Sequence, residues 1–157
     1  MRVLGLSIGG RACAIPLRLV DEVLPIVPAD AVPGSPPWLL GMAMLRGRLV
    51  PLIDGGLRIG GSPVPCTMNA RTVLLVPGAC EPPMAMALRV ERVHGVCDAD
   101  PRAPGSHQGL VHAADGALGA MTPGAGGMMT FMEPGALLTP AERALFRDDP
   151  PGTVHAP

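Results

Sequence analysis

The stretch from Val32 to Gly61 most constrains the fold, because a Pro-rich approach leads into two short apolar runs joined by a tight turn. The runs are residues 41–45 and 48–53, and Arg46-Gly47 lies between them. Apolar runs separated by two residues that include Gly predict a β-hairpin. No pattern typical of a catalytic centre occurs here, so the stretch predicts a rigid β scaffold.

The composition favours many short strands over long helices. The 157 residues include 21 Gly and 20 Pro, which interrupt helices and mark turns. An apolar content of 48% with 16% charged residues is typical of a folded chain rather than a disordered one. Aromatic residues make up 2%, so the core must consist of aliphatic side chains and Met.

A weak internal repeat predicts two β subdomains. Ala12-x-Ala14-Ile15 matches Ala85-x-Ala87-Leu88, and Val20-Asp21-Glu22-Val23 matches Val90-Glu91-Arg92-Val93. A turn at Asp115-Gly116 is the expected counterpart of Arg46-Gly47, and a first hairpin turns at Gly9-Gly10. We therefore predict a single domain over residues 1–147, with approximate subdomains 1–60 and 70–135 and a tail over 148–157.

One segment has the pattern of a helix. Thr139 precedes Pro140, and Glu142 follows Thr139 by three residues, which is the spacing of a capping box. The helix is expected to begin at Pro140 and to run to about Arg147.

Several functions are disfavoured by what the sequence contains. The net charge is −1 and the sequence has no Lys, so a basic nucleic-acid surface and lysine chemistry are not expected. The four Cys have no C-x-x-C spacing, and His94 near Cys97 is too small a set for zinc. We therefore predict no metal, no cofactor, reduced thiols in a cytoplasmic protein, and no inserted membrane segment.

Several motifs follow one another along the chain. In the first half they are Ala14-Ile15-Pro16, Val20-x-Glu22-Val23, Pro36-Pro37-Trp38-Leu39-Leu40-Gly41, Leu45-Arg46-Gly47, Val50-Pro51-Leu52-Ile53-Asp54 and Arg58-Ile59-Gly60. In the second half they are Val90-Glu91-Arg92-Val93-x-x-Val96 and the terminal helix. In this order, the motifs resemble the CheW-like family of bacterial chemotaxis coupling proteins.

The resemblance implies an all-β fold of two five-stranded SH3-like barrel subdomains around a shared core, with a short C-terminal helix. It also implies a non-enzymatic adaptor that joins the cytoplasmic tip of a chemoreceptor to the regulatory domain of the histidine kinase CheA. Because that kinase domain has the same fold, the contact would join similar subdomains. The partner-binding residues expected on this basis are Val20, Glu22, Val23, Arg46, Val90 and Val93.

Two segments depart from the family pattern. Gly55-Gly56 stands where Leu-Arg usually follows the Asp, which predicts a looser exit from the strand. Residues 123–127 are too rich in Gly for a strand, so the closing strand is expected at residues 128–132.

Each of these site residues also fits a purely structural role. Glu22 also fits a solvated edge-strand carboxylate, and Arg46 a solubilising turn residue. Val90, Val93 and Val96 fit core positions, and Trp38 fits an anchor under the Pro-rich loop. A CheW-like scaffold of another signalling or pilus-motility pathway is the first alternative function. A small β-barrel enzyme or ligand-binding protein, for which His94 with a nearby Asp is half of an acid–base pair, is the second.

Overall fold

The computed structural model describes residues 1–59, 61–80, 83–107, 117–124 and 126–146. Over these residues the chain forms ten strands and two short α-helices. The strands are β1 (Arg2–Ile8), β2 (Arg11–Pro16), β3 (Val20–Leu24), β4 (Leu39–Leu45), β5 (Arg48–Asp54), β6 (Arg71–Leu75), β7 (Met86–Val90), β8 (Arg92–Asp98), β9 (Leu118–Gly124) and β10 (Gly127–Met132). The helices are α1 (Gly55–Ile59) and α2 (Pro140–Ala144), and the predicted all-β class is confirmed.

The strands form two five-stranded sheets with the same plan. The first sheet has the order β8-β1-β2-β10-β9, and the second has the order β3-β6-β7-β5-β4. The parallel pair β2–β10 of the first sheet corresponds to the parallel pair β7–β5 of the second. The other neighbouring strands are antiparallel in both sheets. Two similar five-stranded subdomains are therefore present, as the resemblance implies.

The two sheets do not coincide with the two halves of the sequence. Strands β1 and β2 join β8, β9 and β10, whereas β3, β4 and β5 join β6 and β7. The subdomain boundaries thus differ from the predicted ranges 1–60 and 70–135. The pairs β1–β8 and β2–β10 explain the difference, since each joins an N-terminal strand to a strand of the second half of the chain. The predicted tail over 148–157 lies outside the described residues.

The hairpin turns follow from local conformation. Gly9 and Gly10 have φ values of 59° and 75°, and Arg46 and Gly47 have φ values of 50° and 76°. Two consecutive residues with positive φ form the turn that best suits the twist of a two-residue hairpin. Both predicted turns are therefore confirmed.

The counterpart of the β4–β5 hairpin is β9–β10 rather than a hairpin at Asp115-Gly116. The latter pair lies outside the described residues, and the β9–β10 turn falls between Gly124 and Gly127. Pro123 and Gly124 belong to β9, so part of the Gly-rich segment is strand after all. The closing strand begins at Gly127, one residue before the predicted start.

Each sheet curls so strongly that its two edges come close together. The segment that follows one edge strand then forms backbone hydrogen bonds with the opposite edge strand. After β3, Asp30 exchanges two backbone hydrogen bonds of 2.9 Å with Met42 of β4. After β8, His107 exchanges bonds of 2.8 and 2.9 Å with Met121 of β9. Gly41 permits the first closure, because a Cβ on this residue would lie 2.1 Å from the Asp30 carbonyl oxygen.

Side-chain alternation divides the buried residues among three clusters. One face of each sheet contributes to a shared core that includes Leu6, Ile15, Val73 and Leu88. The opposite face of the second sheet encloses its own cluster, which contains Val50, Leu52 and Leu74 among others. The opposite face of the first sheet encloses a smaller cluster of Val3, Ala14, Ala99 and Phe131. Such alternation places successive residues of one strand in different clusters.

Gly55 and Gly56 form a tightly packed helix start and not a loose strand exit. Both residues are buried at the beginning of α1. A Cβ on Gly55 would lie 2.7 Å from the Arg89 carbonyl oxygen, and one on Gly56 would lie 2.1 Å from the Ser62 carbonyl oxygen. The departure from the family pattern therefore lets three backbone segments approach closely.

Asp54 organises the same helix start. Its carboxylate is buried and accepts hydrogen bonds from Leu57 N at 2.9 Å and from Val64 N at 3.2 Å. The first bond caps α1, and the second holds the following loop against it.

The C-terminal helix begins as the sequence predicts. Thr139 Oγ1 accepts a bond of 3.2 Å from Glu142 N, and Glu142 Oε1 accepts one of 2.7 Å from Thr139 N. This reciprocal pair is a capping box, and Pro140 occupies the first turn. The helix ends at Ala144, earlier than predicted, and Arg147 lies outside the described residues.

Candidate interaction surfaces

Glu22 and Arg46 form an ion pair across the open side of the second sheet. Glu22 lies on the edge strand β3, and Arg46 lies at the tip of the β4–β5 hairpin, so the pair connects opposite edges. Arg46 Nη2 is 2.6 Å from Glu22 Oε2, and Arg46 Nε donates to the same oxygen at 2.7 Å. The hydrogen bond to Glu22, together with the charges of Glu22 and Asp21, raises the pKa of the Arg46 guanidinium above its ordinary value.

Two apolar residues lie close to Glu22 along β3. Val23 follows Glu22 on β3 and is 38% exposed, whereas Val20 is half-buried and packs on the shared core. Val20, Glu22 and Val23 share the edge strand β3, and Arg46 contacts Glu22, so four of the predicted site residues lie along one edge of the sheet. Val20 and Val23 pair with Leu75 and Val73 of the shared core, whereas Glu22 pairs with Leu74 of the other cluster, so the two valines project from the face opposite to Glu22. An edge strand that carries both an oriented charge pair and an exposed apolar residue is suited to protein contact, because the charges can select the orientation of a partner. We call Val20, Glu22, Val23 and Arg46 the rim surface.

The predicted site residues of the second half do not join the rim surface as a group. Val90 is fully buried in the shared core, so its side chain cannot contact a partner in this conformation. Val93 on β8 is half-buried and packs on the same core. Val96, expected in the core, is 46% exposed because β8 is an edge strand. The repeated Val residues of this segment do not distinguish an edge strand from a central one.

A second exposed surface lies on the outer face of the β4–β5 hairpin, and the sequence reasoning missed it. Met44 and Leu49 are directly opposite each other in the ladder and are 63% and 54% exposed. Grooves of about 360 and 280 Å³ continue this face toward Val32, Leu145 and Phe146. We call these five residues the apolar surface. The signal in the sequence was an apolar residue at alternate positions of β4, as at Met42 and Met44.

Arg58 and Trp38 fasten the C-terminal segment to the second sheet, which the sequence reasoning also missed. The Arg58 guanidinium lies 5.0 Å from the centroid of the Trp38 ring. Its Nε donates to the Leu137 carbonyl oxygen at 2.7 Å, and its Nη2 is 3.6 Å from Glu142 Oε1. Trp38 is half-buried against the shared core, which agrees with its predicted role as an anchor. All three partners are distant from Arg58 in sequence, so no local pattern reveals the arrangement.

The thiols are reduced and lie apart from these surfaces. Cys13 and Cys80 are buried, whereas Cys66 and Cys97 are exposed. Burial raises the pKa of the Cys13 thiol to about 12. Among the described residues, no group of three or more His, Cys, Asp or Glu side chains is arranged to hold a metal ion. The described helices are all too short to cross a membrane.

Two curled five-stranded sheets around a common core, with exposed charged and apolar surfaces, define a two-barrel β module of the SH3-like type. The family model for the CheW-like domain matches residues 2–142, which is most of the chain. The chain therefore belongs to the CheW-like domain family.

Two known proteins are similar to this chain. A protein of Rhizobium etli described as a probable chemotaxis protein CheW is 35% identical over 74 residues, which cover 47% of this chain and 46% of that protein. The matched segment thus spans about half the length of that relative. The crystal structure of the scaffolding protein TtCheW from Thermoanaerobacter tengcongensis has a TM-score of 0.71 and 18% identity. It covers 83% of this chain and 87% of its own, and it supports the same fold.

Proposed function

We propose that this protein is a non-enzymatic scaffold of bacterial chemotaxis that links the cytoplasmic tip of a chemoreceptor to the regulatory domain of the histidine kinase CheA. The family match over residues 2–142 carries the proposal. The description of the Rhizobium etli relative as a chemotaxis protein supports the pathway. Both proposed partners are cytoplasmic, and four free thiols fit that reducing compartment.

The rim surface is the proposed receptor contact. Its ion pair orients Glu22 and Arg46, and Val23 offers exposed apolar area on the other face of the same edge strand. A fixed charge pair favours partners that present complementary groups in the same order and disfavours others. Because β3 is an edge strand, a receptor tip can approach it without displacing another strand.

The apolar surface is the proposed kinase contact. A scaffold that holds two partners at once needs two separate surfaces, and exposed apolar area supports the longer-lived contact. Met44, Leu49 and Leu145 are each more than half exposed. The kinase regulatory domain has a related fold by the family resemblance, so this contact would join similar β subdomains.

The receptor contact is tested by measuring binding of a purified receptor-tip fragment to the full chain by isothermal titration calorimetry. Glu22→Arg should weaken binding at least about tenfold, since it turns the ion pair into a repulsive pair at the rim. Asp98→Arg makes the same change of charge on the edge strand of the other sheet and should leave binding unchanged. Equal affinity of the wild type and Glu22→Arg would contradict the proposed receptor surface.

The kinase contact is tested separately with the purified regulatory domain of CheA. Leu49→Glu places a charge on the apolar surface and should weaken this binding without changing receptor binding. Met68→Glu is the matched control, because Met68 is 93% exposed on the loop before β6. Failure of the wild type to bind either partner would favour a CheW-like scaffold of another signalling or pilus-motility pathway.

A further inference from the structure

The described methionines differ widely in exposure. Those buried in the shared core are Met84, Met86 and Met132. Those exposed are Met1, Met44, Met68 and Met128, with exposed fractions of 55%, 63%, 93% and 43%. An oxidant dissolved in water therefore reaches the exposed group first, because the fold shields the thioethers of the core.

Met44 is the exposed methionine that lies on the apolar surface. It stands directly opposite Leu49 in the ladder between β4 and β5. Its neighbours Ala43 and Leu45 point to the other face, where both are buried inside the second sheet. Met42, on the same face as Met44, lines the groove beside Leu49. A chemical change at Met44 Sδ therefore alters the apolar surface and leaves the core packing in place.

We propose that Met44 is a site of reversible oxidation, at which a peroxide switches the kinase contact off. The inference rests on the proposed function of the apolar surface. Hydrogen peroxide transfers one oxygen atom to Met44 Sδ: the O–O bond breaks, an S–O bond forms and water is released. The sulfur loses two electrons and the peroxide gains them. A methionine sulfoxide reductase restores the thioether with two electrons from a dithiol, which becomes a disulfide, and the oxygen leaves as water.

The sulfoxide changes the chemistry of the contact. A thioether is apolar, whereas a sulfoxide is polar and accepts hydrogen bonds. Leu49 across the ladder and Met42 along β4 have no hydrogen-bond donor in their side chains, so this face of the hairpin offers the new oxygen no side-chain partner. A polar group buried without a hydrogen bond opposes association. We therefore expect oxidation to weaken binding of the kinase regulatory domain at least about tenfold.

Oxidation of the other exposed methionines should not affect this contact. Met68 lies on the loop before β6, and Met128 lies on β10 of the first sheet. Neither belongs to the apolar surface, so a sulfoxide at either position stays in water when the kinase domain binds. The two residues therefore serve as matched controls, because they react with the same oxidant at a different place.

The test treats the full chain with hydrogen peroxide and then measures binding of the CheA regulatory domain by isothermal titration calorimetry. All proteins carry Cys66→Ser and Cys97→Ser, because these two exposed thiols also react with peroxide. Peptide mass spectrometry should find oxidation at Met44 before Met86 and Met132. Treatment should weaken binding at least about tenfold, and a methionine sulfoxide reductase should restore it.

Each variant is compared with the same protein before treatment. Peroxide should leave the affinity of Met44→Leu where it was, whereas Met68→Leu and Met128→Leu should lose affinity as the parent protein does. A loss in Met44→Leu equal to that of the parent would overturn the proposal. So would unchanged binding by a parent protein in which Met44 is shown to be oxidised, and this result would leave the kinase contact itself intact. If the untreated parent protein does not bind the kinase domain, the proposed kinase contact is wrong and the switch is overturned with it.

Discussion

Arg46 and Glu22 connect the two edges of one curled sheet through a single carboxylate oxygen. Arg46 Nη2 and Nε lie 2.6 and 2.7 Å from Glu22 Oε2. Both side chains are substantially exposed, and solvent screens exposed ion pairs strongly. The backbone bonds between Asp30 and Met42 join the same two edges without any charge. The ion pair therefore orients surface groups more than it holds the barrel closed.

This relationship predicts that reversing the charges affects binding and leaves stability unchanged. Glu22→Arg, Arg46→Glu and the double variant should all have the thermal unfolding midpoint of the wild type within error. The double variant restores an ion pair of reversed order, so receptor binding should stay weak if a partner recognises each charge separately. A cooperative loss of stability in either single variant would show that the pair holds the sheet closed.

Gly56 should tolerate no side chain. Gly56→Ala places a Cβ where the Ser62 carbonyl oxygen lies, and backbone atoms cannot move aside as a flexible side chain can. We expect a loss of about 2–4 kcal/mol in the free energy of unfolding by urea titration. Gly78→Ala is the control, since a Cβ at Gly78 meets nothing within 4 Å. Equal stability of the two variants would contradict the close packing at the start of α1.

Arg58 should hold α2 in place. Arg58→Lys keeps the charge but removes the planar group that contacts Trp38 and donates from Nε to Leu137. We expect a loss of about 1–3 kcal/mol in unfolding free energy and faster amide hydrogen exchange over residues 137–146. Arg48→Lys changes an exposed arginine of β5 and should alter neither quantity. If amide hydrogen exchange is unchanged in Arg58→Lys, Arg58 does not hold α2 in place and only the apolar contacts do.

Burial of the Cys13 thiol should make the free energy of unfolding fall at high pH. The folded pKa is about 12 and the ordinary value is 9.0, so the unfolded chain loses this proton first as the pH rises. Between these values the native state binds more protons than the unfolded state, and the free energy of unfolding therefore decreases with pH. The contribution of the buried, neutral Cys13 thiol to the free energy of unfolding is fully present below pH 9 and is lost progressively toward pH 12. Cys13→Ala should decline less steeply than the wild type in urea titrations over this range, and parallel curves would contradict the assignment.

Local patterns predicted the local structure well. The turns at Gly9-Gly10 and Arg46-Gly47 depend on the conformations of two adjacent residues, so the sequence was sufficient for both. The capping box at Thr139 and Glu142 spans three residues and was equally visible. The family pattern correctly implied two five-stranded subdomains.

The candidate surfaces were predicted in part. Glu22 and Arg46 were each identified, but the two residues are 24 positions apart in sequence, and their contact depends on how the sheet curls. Val90 and Val96 are the same residue type on consecutive strands of the chain, yet Val90 is buried and Val96 is exposed. Their difference follows from the position of β7 at the centre of one sheet and of β8 at the edge of the other.

The sequence by itself determined the strand-rich class, the turn positions, the helix cap and the family, because each depends on neighbouring residues or on a linear motif. The tertiary structure alone decided which strands share a sheet and why Gly55 and Gly56 are needed. These features depend on contacts between segments that are distant in the chain, such as β2 with β10 and Gly56 with Ser62. Such contacts arise from packing after the strands have formed, and a linear pattern contains no direct record of them.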